Sequence, residues 1–95
     1  MNPLHQYPIP HKQVAGRVID DEAVIILSES GEVEVLNEVG ARIWELADGT
    51  RNVGEIAAQL VNEFAVAHAQ ATADVVAFVA RLAQENIVVI SDHPV

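Results

Sequence analysis

Hydrophobic positions fall into two rhythms along this chain, a two-residue rhythm up to about residue 36 and a three-to-four-residue rhythm after it. Val14 to Ile19 is rich in β-branched residues and predicts a strand, and Asp20-Asp21-Glu22 reads as a polar turn. Ala23-Val24-Ile25-Ile26-Leu27 is a continuous apolar run, the pattern of a central strand flanked on both edges. Ser28-Glu29-Ser30-Gly31 makes a second turn, with Gly31 free to take the positive φ of a tight connection. Glu32-Val33-Glu34-Val35 then alternates strictly, which predicts valines toward the core and glutamates toward solvent. Together these segments predict a three-stranded antiparallel meander.

From Asn37 the period changes. Asn37 suits an N-cap and Glu38 suits the positive end of the helix dipole. Val39, Ile43, Leu46 and Ala47 share one face, Trp44 lies beside it, and Glu38–Arg42 is spaced as an i,i+4 pair. Gly49 ends this helix in a left-handed cap. Asn52-x-x-Glu55 has the form of a capping box and opens a second helix, with a stripe of Val53, Ile56, Ala57, Leu60, Val61 and Phe64. The stripe continues in phase through Ala71, Val75, Phe78 and Leu82. One helix from Val53 to Asn86 would be a rod of ~51 Å, long for a domain of this size. The helix is therefore expected to break between about 65 and 71, with Thr72 as the next N-cap. Ile87-Val88-Val89-Ile90 reads as a short extended piece.

The fold class expected is α+β and winged-helix-like, three antiparallel strands followed by three helices. Residues 1–13, with Pro3, Pro8 and Pro10, are expected to form a flexible arm; the alternative is that Tyr7 and Ile9 dock on the sheet or on a neighbouring chain. Residues 14–90 form the domain and 91–95 a C-terminal tail.

Composition narrows the function classes. Apolar residues make up 51% of the 95, enough for a packed core, and most are aliphatic. The net charge of −9 sets 14 acids against Lys12, Arg17, Arg42, Arg51 and Arg81, which argues against nucleic acid and against an anionic membrane surface. No segment approaches the ~20 apolar residues of a membrane span, and the N-terminus lacks the apolar run of a signal peptide, so a cytoplasmic protein is expected. There is no cysteine, and the four histidines lack the spacing of a metal site. No nucleophile elbow or phosphate loop occurs, and a non-catalytic protein without a cofactor is expected. Trp44 reads as a core or hinge residue, with ligand contact as the lesser alternative. Glu32 and Glu34 either blunt an exposed strand edge or recognise charge on a partner.

The block Val33-Glu34-Val35-Leu36-Asn37-Glu38-Val39-Gly40-Ala41-Arg42-Ile43-Trp44-Glu45-Leu46-Ala47-Asp48-Gly49 resembles the signature of the PqqD-like family. Asn52-Val53-Gly54-Glu55-Ile56, Asp74-Val75-Val76-Ala77-Phe78, Leu82 and Ile87-Val88 follow in the family's order, so the resemblance covers roughly residues 14 to 90. It implies a recognition element for the leader of a ribosomally made precursor peptide. The leader would add as a strand along the edge formed by Glu32, Val33, Glu34, Val35 and Leu36, in a groove walled by Asp74, Val75, Phe78, Arg81 and Leu82. The implied partners are that precursor and its modifying enzyme, often a radical-SAM enzyme; separately, the domain is expected to be a monomer or weak homodimer. Two other classes share some features: a winged-helix DNA-binding regulator, whose recognition helix would here carry only Arg81, and an acidic carrier-protein-like module, which would be all-helical.

Overall fold

The computed structural model describes residues 2–95. After a 3-10 turn at Pro3–His5 come β1 (Tyr7–Pro10), β2 (Val14–Ile19), β3 (Glu22–Leu27), β4 (Val33–Leu36), α1 (Glu38–Leu46), α2 (Val53–Glu63), α3 (His68–Gln84) and β5 (Val88–Ser91). The strands form two antiparallel sheets, β2-β3-β4 and β1-β5. This is an α+β fold, and its strands remove the all-helical carrier reading. No helix among the described residues is long and apolar enough to cross a membrane.

The meander's turns follow from their residues. Asp20 and Asp21 sit at φ 50 and 67, as a two-residue type I′ hairpin requires at both central positions. Gly31, at φ 73, donates its N–H to the Leu27 carbonyl at 2.7 Å. Two further bonds set the phase of both ladders: Ser28 N–H donates to Gln13 C=O at 2.8 Å, and Leu27 N–H donates to Glu32 C=O at 2.9 Å. Hydrogen-bonded and non-bonded pairs alternate along an antiparallel ladder. With Val14 opposite Leu27 and Val33 opposite Ile26, even-numbered β3 residues bond to β2 and odd-numbered ones to β4. Val33 and Val35 therefore turn their N–H and C=O to the open edge of β4. Val14, Gly16 and Val18 turn theirs to the open edge of β2.

The side chains of β4 lie opposite to the expectation. Val33 and Val35 are 61% and 58% exposed, whereas Glu34 is half-buried and Leu36 buried. The reason is Leu36: it shares parity with Glu34 and stands opposite Ala23 on the face that packs against the helices. Its burial carries Glu34 inward, where Arg81 of α3 meets its carboxylate.

The N-terminal segment also departs from the flexible arm expected. β1 pairs with β5 in the register Tyr7 opposite Ser91 and Pro10 opposite Val88. Its prolines do not interrupt this ladder. The carbonyls of Gln6 and Pro8 face the other way and accept from Val53 N–H at 2.9 Å and Gly49 N–H at 3.0 Å. An amide at Pro8 or Pro10 would point away from β5, so its loss costs no rung.

Asn37 caps α1 as expected, its Oδ1 accepting from Gly40 N–H at 2.9 Å. The capping box of Asn52 and Glu55 closes in both directions. Arg42, however, pairs with Glu63 of α2 at 2.7 Å and with Glu45, rather than with Glu38. Val39 is exposed, and only Ile43, Leu46 and Ala47 of its expected stripe are buried. The chain breaks after Phe64, which is extended, and α3 starts at His68 without a side-chain cap. Thr72 lies inside α3 and donates to the His68 carbonyl at 2.9 Å. At the far end of α3, Asn86 takes φ 60; its N–H donates to Ala83 C=O, and Ile87 N–H donates to Leu82 C=O. These are the paired bonds of a Schellman cap, with Ile87 packed in the same cluster as Leu82.

The core has two lobes. Ile43, Leu46, Val53, Ile56, Leu60, Val75 and Val79 fill the space between helices. Ala23, Ile25, Leu36, Leu82 and Ile87 fill the space between sheet and α3. Phe78 and Ile90 touch both lobes. Burying a side chain of this size stabilises the fold by roughly 1.5–3 kcal/mol, so the two lobes hold β4 and α3 at a fixed separation.

Candidate functional site

The edge of β4 lies beside α3, joined to it by the Arg81–Glu34 pair, and the gap between them is the candidate groove. On the strand side, Val33 and Val35 present their backbone N–H and C=O groups with no partner among the described residues. On the helix side, Asp74, Phe78, Arg81 and Glu85 follow one another at helical spacing on one face. Arg81 spans the gap. Its guanidinium reaches the Glu34 carboxylate, its Nε donates to Glu85 at 2.9 Å, and it lies 5.1 Å from the centroid of the Phe78 ring. These side chains are partly exposed. Ion pairs at such positions contribute only ~0–1 kcal/mol, so a ligand can open the bridge at small cost.

Beside the turn between β3 and β4 the groove widens into a hollow of about 530 Å³. Its lining includes Leu27, Glu29, Glu32, Glu34, Glu85 and Asn86. Four carboxylates thus surround it, and Arg81 neutralises part of their charge through Glu34 and Glu85.

The expected site residues divide into exposed or half-buried positions and buried ones. Glu32, Val33, Glu34 and Val35 lie along the open edge, and Asp74, Phe78 and Arg81 lie on the facing helix. Asp74 is exposed and accepts from Gln70 Nε2 at 2.8 Å. Leu36, Val75 and Leu82 are buried in the core, beneath the groove rather than in it. Their role is to hold strand and helix in place.

Leu27, Glu29, Glu85 and Asn86 line the hollow without having been singled out in the sequence for it, whereas Gly40 is a packing residue. A Cβ on Gly40 would sit 3.1 Å from the Phe78 ring and 3.4 Å from Leu36 Cβ, so this glycine lets the ring settle at the groove base. Its signal was present: a glycine inside a helix costs ~1 kcal/mol and calls for a packing reason. Glu85 and Asn86 enter because the Schellman cap bends the chain around the end of α3. No pattern in their own stretch of sequence marks that bend as part of a site.

Away from the groove, Arg42 and Gln59 hydrogen-bond Glu63 and hold its carboxyl at about 2, below the ordinary 4.5. The Thr50 hydroxyl and backbone N–H likewise lower Asp48. Both carboxylates serve structure, Glu63 by tying α2 to α1 and Asp48 by ordering the connection between them. Among the described residues no three His, Asp or Glu side chains cluster as metal ligands would.

Two solved structures share this architecture. One, described as TbiB1 in complex with the TbiA(beta) leader peptide, is 28% identical and superposes with a TM-score of 0.78 over 84% of this chain and 93% of that one. The other, described as lasso peptide synthetase B1 complexed with the leader peptide, is 22% identical, with a TM-score of 0.79 over 87% of this chain and 98% of that one. At that identity the second likeness speaks to the fold alone. No curated protein matches the chain. The family model for coenzyme PQQ synthesis protein D (PqqD) matches residues 22–88, from the central strand through α3 into the last strand, and with more than half of its length so matched the chain belongs to the PqqD family.

Proposed function

We propose that this domain captures the leader segment of a ribosomally made precursor peptide and presents it to a modifying enzyme, without carrying out chemistry itself. The observation that supports this most is the β4 edge, where unpaired backbone groups face a groove backed by α3. An extended peptide laid antiparallel to β4 would receive N–H and C=O bonds from both Val33 and Val35. Each such bond contributes ~0.5–1.5 kcal/mol net, so backbone pairing alone gives modest affinity, and side chains seated near Phe78 or in the hollow give selectivity. The acidic lining favours a neutral or basic stretch of peptide beside Val33. Membership of the family and the likeness to a leader-peptide complex at 28% identity support the same reading.

Presentation works through effective concentration. A peptide held on the domain stays near any enzyme that holds the domain, and its apparent affinity rises without a new contact. The enzyme's class, radical-SAM or another, follows from the pathway rather than from this domain. The test is titration calorimetry with the leader of any precursor peptide found encoded beside this chain. Micromolar-scale binding by the leader and none by the remainder of the precursor is the expected result. Equal binding of both segments, or of neither, would overturn the reading.

A further inference from the structure

The sheet has a second open edge, β2, and its residues point to a particular occupant. Val14, Gly16 and Val18 turn their backbone groups outward there. The Val14 N–H already donates to His11 C=O at 3.1 Å, so the edge offers the N–H of Gly16 and Val18 and the C=O of Val14, Gly16 and Val18. The strand is six residues long, with no proline and no bulge, and its single charge is Arg17. It therefore lacks most of the devices that usually blunt an exposed edge.

We infer that β2 pairs with β2 of a second copy of this chain, antiparallel about a two-fold axis at Gly16, joining two meanders into one six-stranded sheet. Hydrogen-bonded pairs must match edge-facing residues, which leaves few registers. Centring on Arg17 sets two like charges opposite each other, which is unfavourable. Centring on Ala15 leaves Gly16 N–H to Val14 C=O as the strands' only bonds, one in each direction, because the Val14 amide is occupied. Centring on Gly16 gives two bonds between the glycines and one from Val18 N–H to Val14 C=O at each end. It also sets Arg17 against Ala15 of the partner subunit.

Side chains and charges fit the same register. On the helix side Val18 meets Val14 of the partner subunit, a β-branched pair suited to a sheet. Trp44 of α1 lies against Gly16, where a Cβ would come within 2.3 Å of its ring. Cα atoms of a hydrogen-bonded pair stand ~5.5 Å apart, so the two indoles come side by side at the axis. Beyond the strand ends, the Asp20-Asp21 turn of one copy comes beside the turn that carries Lys12 of the partner subunit. In a chain of net charge −9 this is one of the few places where a second copy meets a cation. The β4 edge takes no part, so the inference stands apart from the proposed peptide site.

Sedimentation equilibrium of the full chain, together with emission from its single tryptophan, tests the pairing. A reversible dimer is expected below about 1 mM, with Trp44 emission changing as it forms. Val18→Pro removes an edge donor without touching the β2–β3 ladder and should weaken the dimer at least ~10-fold through two lost bonds. Lys12→Glu, which leaves the strand intact, should weaken it roughly 2- to 10-fold even if the proline variant folds poorly. A chain that stays monomeric over this range overturns the inference. So does a dimer that Lys12→Glu leaves unchanged, since its interface would lie elsewhere.

Discussion

The two open edges of the meander offer similar backbone chemistry and differ in what stands behind them. Behind β4 lies a groove, with α3 set back far enough to leave a hollow of about 530 Å³ beside Glu32 and Glu34. On the helix side of β2 the space is filled, because Gly16 lets the Trp44 ring press against the strand. An added strand on β4 can seat its inward side chains beside Phe78 and Arg81, whereas one on β2 meets a flat indole beside two valines. Backbone groups make an edge sticky, but the inner surface selects its partner. On the proposed reading the β4 edge takes a peptide with varied side chains, and the inferred partner of the β2 edge is a strand with a glycine at its centre, its own copy.

The largest expected effect comes from the β2 side. Trp44 is half-buried, and its Nε1 is sealed from solvent with no acceptor among the described residues. Trp44→Ala should cost about 3 kcal/mol, the low end for a buried tryptophan, and lower Tm by roughly 15 °C in a thermal melt. Peptide affinity measured well below that melt should hold. Lost binding with an unmoved Tm would put Trp44 in the peptide site and erase the distinction between the edges.

Proline along β4 sharpens the comparison. Val33 and Val35 have the same parity, so proline at either removes an edge-facing donor and should weaken peptide binding at least ~10-fold, with only a modest change in stability. Glu34→Pro is the informative control. Its N–H belongs to the β3 ladder, and the variant should lose stability first. Similar binding losses from Val35→Pro and Glu34→Pro, at equal Tm, would contradict an outward-facing Val35 amide.

Charge should matter less. Glu32→Gln with Glu34→Gln removes two carboxylates of the hollow and frees Arg81 from one partner. Affinity for a basic leader should fall by at most roughly tenfold and its salt dependence should flatten. Unaltered affinity across a salt series would leave these glutamates the sole task of guarding the edge.

The smallest effect serves as a reference remote from both edges. Glu63 has its folded pKa depressed to about 2 from the ordinary 4.5 by Arg42 and Gln59. The unfolded chain therefore binds the proton more readily. The stabilisation is present above about 4.5 and is lost as pH falls toward about 2. Because the pair is partly exposed, the expected contribution is under ~1 kcal/mol. Comparing acid melts of the wild type and Glu63→Gln checks it: the variant should lose less stability across this window, with peptide binding at neutral pH unchanged.

Local chemistry made much of the fold legible in sequence. Asp20-Asp21, Gly31, Asn37 and Asn52-x-x-Glu55 each carry a local signal, and each forms the turn or cap it predicts. The failures share a cause, which is that parity depends on a distant partner. In Glu32-Val33-Glu34-Val35 either pair could face inward on pattern alone; Leu36, two residues after Glu34, breaks the tie, and Arg81 makes the inward glutamate tolerable. Pro8 and Pro10 look like strand breakers until β5 and the amides of Gly49 and Val53 define which side of β1 needs donors. The candidate site was legible as two elements, an edge and a helix. Which helix residues reach the groove was not, because the 3.6-residue stripe places Val75, Phe78 and Leu82 in one series although only Phe78 is left partly exposed.

Amide exchange measured residue by residue, with and without leader peptide, tests the central claim most directly. On β4 the amides of Val33 and Val35 should exchange freely in the unbound protein and slow sharply on saturation. Glu34, already bonded to β3, should change little, and on β2 Gly16 and Val18 should keep their unbound rates. Slowing at Gly16 and Val18 with Val33 and Val35 unchanged would contradict the account, because the peptide would then occupy the edge behind which the Trp44 ring leaves no groove.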